Sequence, residues 1–202
     1  MHTNTSINSS EYKKYLAFIR SITDVPDGEA EKMAGVFRHE QLNKGQFFVR
    51  AGERPHTIGF IVSGILRLYY LNDNGGEFTK AFCVENEMVA AYSALLLGEP
   101  SRLFIEALED SSLLVAPYES YKRISSGHVC WRIINQQLTE TLIIKKEKRE
   151  CELLVDDATE RYVKFVQDYP GLEKKIKQYY IASYLGITPV SLSRIRSKLK
   201  KS

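Results

Sequence analysis

In the segment PVSLSRIRSKL, Val190, Arg194 and Ser197 recur at spacings of four and three residues. A helix would set them on one face, with Ser193 at its flank and Lys201 a turn further on. An arginine so placed can grip a guanine edge with two hydrogen bonds. The serine hydroxyls can meet phosphates or base edges, and a small apolar group can meet a thymine methyl. The surrounding charge offers the same chemistry. Residues 174–202 hold eight Lys/Arg and no Asp or Glu, whereas the whole chain is +3 and residues 1–173 therefore carry −5. Positive charge concentrated on one folded end is an electrostatic footprint for phosphate backbones. An ordinary helical hairpin packing on protein has no reason to exclude acids, so the expected partner is double-stranded DNA.

These side chains need two short helices around a tight turn. The first is predicted over residues 178–185, with Ile181, Ala182 and Leu185 on its inner face. Gly186 follows, where a left-handed residue lets the chain turn. Thr188 suits an N-cap and Pro189 the first helical position, where its missing N–H is no loss. The second helix is predicted from Pro189 to about Leu199, with Leu192, Ile195 and Leu199 as its core stripe. The candidate DNA-contacting residues are Gln178, Thr188, Val190, Ser191, Ser193, Arg194, Ser197, Lys198 and Lys201, the two lysines being phosphate contacts. Upstream, Asp156 and Asp157 suit the start of another helix, with Ala158, Tyr162, Phe165 and Val166 as its buried stripe. That helix should stop at Tyr169-Pro170-Gly171.

A long helix over residues 127–154 carries two apolar stripes. Trp131, Ile134, Leu138 and Leu142 form one; Cys130, Ile133, Ile144 and Cys151 form the other, with Gln137 among them. One stripe is enough to pack a helix on its own domain. Two imply two partners, and the expectation is a homodimer in which Cys130, Ile133, Gln137 and Ile144 meet their mates. The alternative is a helix sandwiched within one monomer. The run KKEKRE (145–150) reads as a solvated face.

Before residue 124 the texture is that of strands. After a helical lead over residues 11–22, short β-branched and aromatic runs alternate with Gly-bearing turns at about ten-residue spacing, which suggests an all-β sandwich or barrel. Asn74-Gly75-Gly76 is a hairpin signal, because Asn and Gly tolerate positive φ. The N-terminus lacks a secretory pattern and no apolar run approaches the roughly 20 residues of a membrane span. Cys83, Cys130 and Cys151, without a CxxC pair, suit reduced thiols in the cytoplasm. His2, His39, His56 and His128 show no metal-ligand spacing, and no phosphate loop or nucleophile signature is present, so no cofactor, metal or enzymatic activity is expected.

In this order the elements resemble the CRP/FNR family of bacterial transcription regulators. Gly45, Gly52 and Gly64 in LNKGQFFVRAGERPHTIGFIVSGILRL match that family's turn glycines, and IASYLGITPVSLSRIRSKL matches its helix-turn-helix. Ser193 and Arg194 fall on positions that contact the operator in relatives. The resemblance implies an α+β chain in three parts. Residues 1–126 would be a cyclic-nucleotide-binding-like double-stranded β-helix (jelly-roll-like), 127–155 a dimerisation helix, and 156–202 an all-α helix-turn-helix domain. The last should lack a full wing, since about three residues follow the second helix. RNA polymerase is a further implied partner.

The departures are specific. Cyclic-nucleotide-binding relatives place a Gly-Glu pair and an Arg-Ser pair in the phosphate cassette. Here Ala90-Ala91 and Ser101 stand at those positions, with Arg102 one place along and so on the other face of a strand. Without the ribose acceptor and the phosphate cation, a buried nucleotide lacks its polar partners. A pocket of Ala90, Ala91, Tyr92, Ser101 and Arg102 is therefore expected to be degenerate. Its apolar lining would be partly filled by Tyr92 or Phe104, and its effector is unknown or absent. The cysteine cluster of iron–sulfur relatives is missing, and Val190 replaces a Glu that many relatives present to the operator. A sensor acting through protein partners would need a charged anchor in the roll, and a cupin-type enzyme would need clustered histidines and carboxylates.

Overall fold

The computed structural model describes residues 9–200, in two compact units. One runs to Leu68 and resumes over Phe82–Glu140; the other comprises Tyr69–Ala81 and everything from Thr141.

The first unit begins with α1 (Ser10–Arg20) and α2 (Asp27–Ala34). The sequence predicted the former; the latter follows Pro26 and was not anticipated. Eight strands follow: β1 (Arg38–Leu42), β2 (Phe47–Val49), β3 (Thr57–Ser63), β4 (Leu66–Leu71), β5 (Glu77–Cys83), β6 (Met88–Val89), β7 (Leu103–Ala107) and β8 (Ser111–Pro117), with α3 (Tyr92–Leu97) between β6 and β7. They form two four-stranded sheets of order β1-β8-β3-β6 and β2-β7-β4-β5. Apart from the β4–β5 hairpin, sequence neighbours lie in different sheets, the winding of a double-stranded β-helix. Its registers are antiparallel, as in Arg38 opposite Val115 and Gly59 opposite Val115 on the two sides of β8. Gly64 shows why the roll needs a glycine there. Its φ is +110°, and an added Cβ would lie 2.1 Å from Ser111 Oγ and 2.7 Å from Ser111 Cα.

After β8 come α4 (Tyr118–Ser125) and α5 (Val129–Val155). Tyr12, Tyr15 and Ile19 of α1, Phe37, Phe60 and Leu114 of the roll, and Cys130, Trp131 and Ile134 of α5 form one buried core. The aromatic rings meet edge to face, with Tyr15 centroids 4.8 Å from Phe37 and 5.2 Å from Phe60. His128 starts α5 with its imidazole Nδ1 accepting from the Cys130 N–H at 3.2 Å.

In the second unit, Asn74-Gly75-Gly76 makes the predicted turn between β4 and β5. Asn72 Oδ1 accepts from the N–H groups of Asn74 (3.1 Å) and Gly76 (2.7 Å). Beyond α5 lie α6 (Ala158–Asp168), α7 (Leu172–Lys175), α8 (Gln178–Leu185) and α9 (Pro189–Leu199). Asp157 opens α6 with a capping box. Its carboxylate accepts from Thr159 and Glu160 N–H groups while Glu160 accepts from the Asp157 N–H. Those backbone donors, Glu160 first, hold the Asp157 carboxyl below the usual range. Tyr162 and Phe165 bury the inner face of α6, together with Ile181, Ala182, Tyr184 and Leu185 of α8 and Leu192 of α9. Burial, then the hydrogen bond to Glu173, pushes the Tyr162 hydroxyl up to about 12.

Candidate nucleic-acid interface

Helices α8 and α9 form the predicted helix-turn-helix. Gly186 takes the left-handed conformation (φ +69°). Thr188 caps α9, its Oγ1 accepting from the Ser191 N–H at 3.1 Å and lying 3.0 Å from Ser191 Oγ, with Pro189 in the first turn. Leu192 alone of the expected core stripe is fully buried; Ile195 is half-buried and Leu199 is 39% exposed. The outer face carries Val190, Ser193, Arg194, Ser197 and Lys198, all exposed, and Val190 is 61% exposed. Ser191 is half-buried beneath the cap, and Gln178 stands exposed at the first position of α8. Lys201 lies outside the described residues. An extended face with one arginine, several hydroxyls and no carboxylate can follow a groove edge and the phosphates beside it.

What holds this face in place was only partly legible. The last four carbonyls of a helix lack intrahelical partners. In α8 they are all satisfied: Ala182 O accepts from the Ile187 N–H (3.0 Å), Ser183 O from the Gly186 N–H (3.3 Å), Tyr184 O from Arg149 Nη2, and Leu185 O from Arg161 Nε (3.0 Å). The first two closures are local and follow from the glycine turn. The other two come from α5 and α6. Arg149 also stacks on the Tyr184 ring at 4.0 Å. Burial raises the Tyr184 hydroxyl's pKa, and the Arg149 cation opposes that shift. The run 145–150 is thus not uniformly solvated. Lys145, Lys146, Glu147, Lys148 and Glu150 are exposed, but the Arg149 side chain is only 16% exposed and Glu152 beyond it only 6%. The run's charge density hid this, because a cation buried by folding has the same sequence signature as a solvated one.

The dimer candidates divide. Ile133 (43%) and Ile144 (64%) are exposed, as is Gln137, whereas Cys130 is 2% exposed within its own subunit's core. That burial leaves Cys130 no surface for a partner and raises its thiol pKa. Its stripe position placed it beside Trp131, and both turned inward. Between residues 139 and 148 every position of α5 is exposed, including Leu142 of the first stripe and its neighbour Ile143.

In the cassette, Ala91 is fully buried, Ala90 half-buried, and Ser101 buried at 3%. The Ser101 hydroxyl donates to the Leu103 carbonyl at 2.8 Å, and its backbone pairs with Gly52 and Glu53. Arg102 is exposed, in the bend just before β7 and not on a strand. Tyr92 does not fill the interior, being 39% exposed; Phe104 is half-buried, its ring 5.8 Å from that of Phe47. Among the described residues no group of three or more His, Cys, Asp or Glu could hold a metal ion, and no helix is long and apolar enough to cross a membrane.

Residues 39–128 match the cyclic nucleotide-binding domain family. The "Fumarate and nitrate reduction regulatory protein" of Vibrio cholerae is 24% identical over 176 residues, spanning 82% of this chain and 70% of that protein. Among solved structures, FixK2 from Bradyrhizobium japonicum superposes with a TM-score of 0.72 at 21% identity, over 82% of this chain and 85% of that one. A regulator of the crp/fnr family from Eubacterium rectale does so with a TM-score of 0.68 at 20% identity, over 88% and 84%. The order of a double-stranded β-helix, a long helix and a helix-turn-helix is the fold that these solved structures share with the chain. In sequence and in fold, the chain is similar to regulators of the CRP/FNR type.

Proposed function

We propose that the chain acts as a homodimer that reads double-stranded DNA through α9, and that its roll does not answer to cyclic AMP. The observation that carries the reading is the outer face of α9, where Val190, Ser193, Arg194 and Ser197 stand exposed in a segment with no acidic residue. Arg194 would contact a base edge; Thr188, Ser191, Gln178, Lys198 and Lys201 would contact the backbone. Paired copies of α9 would come from association along α5, through Ile133, Gln137 and Ile144, in a parallel two-fold pair. The roll (1–126), the helix (127–155) and the helix-turn-helix part (156–202) would divide sensing, pairing and reading. The cassette argues against cyclic AMP, since Ala90, Ala91 and the self-bonded Ser101 offer neither carboxylate nor cation to a nucleotide. The reading places the protein in the cytoplasm, not as an enzyme, with RNA polymerase as a further partner. The test is selection of duplexes from a randomised library by the full chain, followed by binding at several salt concentrations. An enriched sequence bound more tightly than random duplex is expected; no enrichment and no binding at low salt would overturn the reading.

A further inference from the structure

Three consecutive residues of α8 are each tied to a different element. The Ser183 hydroxyl donates to the Glu77 carbonyl at 2.8 Å and accepts from the Thr79 N–H at 2.9 Å, both in the β5 part of the same unit. β5 is an edge strand of its sheet, so its outer backbone groups face away from any further strand, and the serine supplies the partner a further strand would have supplied. The Tyr184 carbonyl is held by Arg149 of α5, and the Leu185 carbonyl by Arg161 of α6. Arg161 also donates to the Asp156 carbonyl at 2.6 Å, in the link between α5 and α6. Side-chain packing alone lets a short helix rotate or slide by a fraction of a turn. Directional bonds at three successive residues, one through a side chain and two through backbone carbonyls, do not.

The Arg149 anchor has a feature that separates orientation from stability. Its Nη1 lies 3.5 Å from Glu152 Oε2, too long for a hydrogen bond. Arg149 Nη1 and Glu152 Oε1 are both buried with no hydrogen-bond partner among the described residues. A buried ion pair with unsatisfied atoms stabilises a fold poorly, because desolvation offsets the attraction. The guanidinium nonetheless lies over the Tyr184 ring, its carbon 4.0 Å from the centroid, and donates to the Tyr184 carbonyl. An arginine can cover the ring and donate from one planar group, which a lysine ammonium cannot.

We infer that Arg149 and Ser183 are positioning residues for DNA reading. They fix the direction of α8, and through the Gly186 turn that of α9, so that the exposed face meets base edges in register. Neither residue need touch DNA. The inference rests on the proposed DNA-reading function and adds where α9 takes its direction from.

The experiment uses the full-length chain and two probes, a duplex enriched by the wild-type protein from a randomised library and a random duplex. Arg149→Ala, Arg149→Lys and Ser183→Ala are compared by binding at several salt concentrations, well below each variant's melting temperature. Losing an anchor that donates to backbone should weaken binding to the enriched duplex by roughly tenfold, the order of one hydrogen bond's net contribution. Affinity for random duplex and the salt slope should stay as in wild type, since the phosphate-contacting cations are untouched. Arg149→Lys should resemble Arg149→Ala, because an ammonium restores charge but not the planar contact. If Arg149→Ala loses its helical circular dichroism, Arg149→Lys and Ser183→Ala carry the test. Parallel loss on both probes would make the contacts merely structural, and an unchanged ratio in every variant would make them irrelevant; either overturns the inference. If the wild-type chain enriches no duplex at all, it is the DNA reading that fails.

Discussion

Trp131 and Glu29 lie 102 residues apart in sequence, and the indole Nε1–H of one donates to the Oε2 of the other at 2.9 Å. Lys32 donates to the second oxygen of the same carboxylate at 2.6 Å. The bond fastens α2, the helix the sequence did not announce, to the buried start of α5.

This arrangement sets a pH dependence. Hydrogen bonds from Lys32 and then Trp131 lower the Glu29 pKa. A carboxylate whose folded pKa is depressed contributes stability that is complete above its unfolded value, about 4.3, and lost as pH falls through the lower folded value. Trp131→Phe keeps a smaller aromatic ring and removes the donor. It should lower stability at neutral pH by about 1.5 kcal/mol and make the acid-side decline shallower. Urea unfolding of both proteins across the acid range checks both statements, and identical acid limbs would refute the second.

Association should depend on the outward residues of α5. Ile133→Glu combined with Ile144→Glu alters side chains that are 43% and 64% exposed, so the subunit fold should survive. Sedimentation at micromolar concentration should shift from dimer to monomer, and affinity for the enriched duplex should fall because two half-sites are no longer read together. Cys130→Ser, by contrast, should lower the melting temperature without altering association, because that side chain is buried at home.

Specificity and affinity should separate along α9. Arg194→Ala should weaken binding to the enriched duplex by about 1–3 kcal/mol and relax preference at one base pair per half-site. Lys198→Ala should weaken binding to every sequence alike and flatten the salt slope by about one unit. Salt titrations on enriched and random duplexes distinguish them; equal losses for Arg194→Ala on both would reduce it to a phosphate contact.

Cyclic AMP should leave the melting curve unmoved at millimolar concentration. A ligand held only by the folded state at a hundredfold over its Kd would add about 2.7 kcal/mol. A thermal scan resolves a change of that size, and clear stabilisation by cyclic AMP or cyclic GMP would refute the argument from Ala90, Ala91 and Ser101.

By itself the sequence determined the local chemistry. Gly186, Thr188 and Pro189 specify a turn, a cap and a helix start from backbone preferences that act within a few residues, and α8 and α9 formed within the predicted limits. Asn74-Gly75-Gly76 specified its hairpin for the same reason, and the roll glycines and the helix-turn-helix pointed to the regulators that the chain resembles in sequence and fold. Only the tertiary structure decided which of two adjacent apolar residues turns inward. Cys130 and Trp131 are neighbours on α5, and the cavity between α1 and the roll took both. It also decided that Arg149, inside a run of charges, leaves water to close a helix thirty-five residues away. Hydrophobic periodicity reports that a face is apolar, not what will cover it. Charge reports that a residue is polar in the unfolded chain, not where its partner will stand. Both depend on contacts between distant segments, which no local pattern encodes.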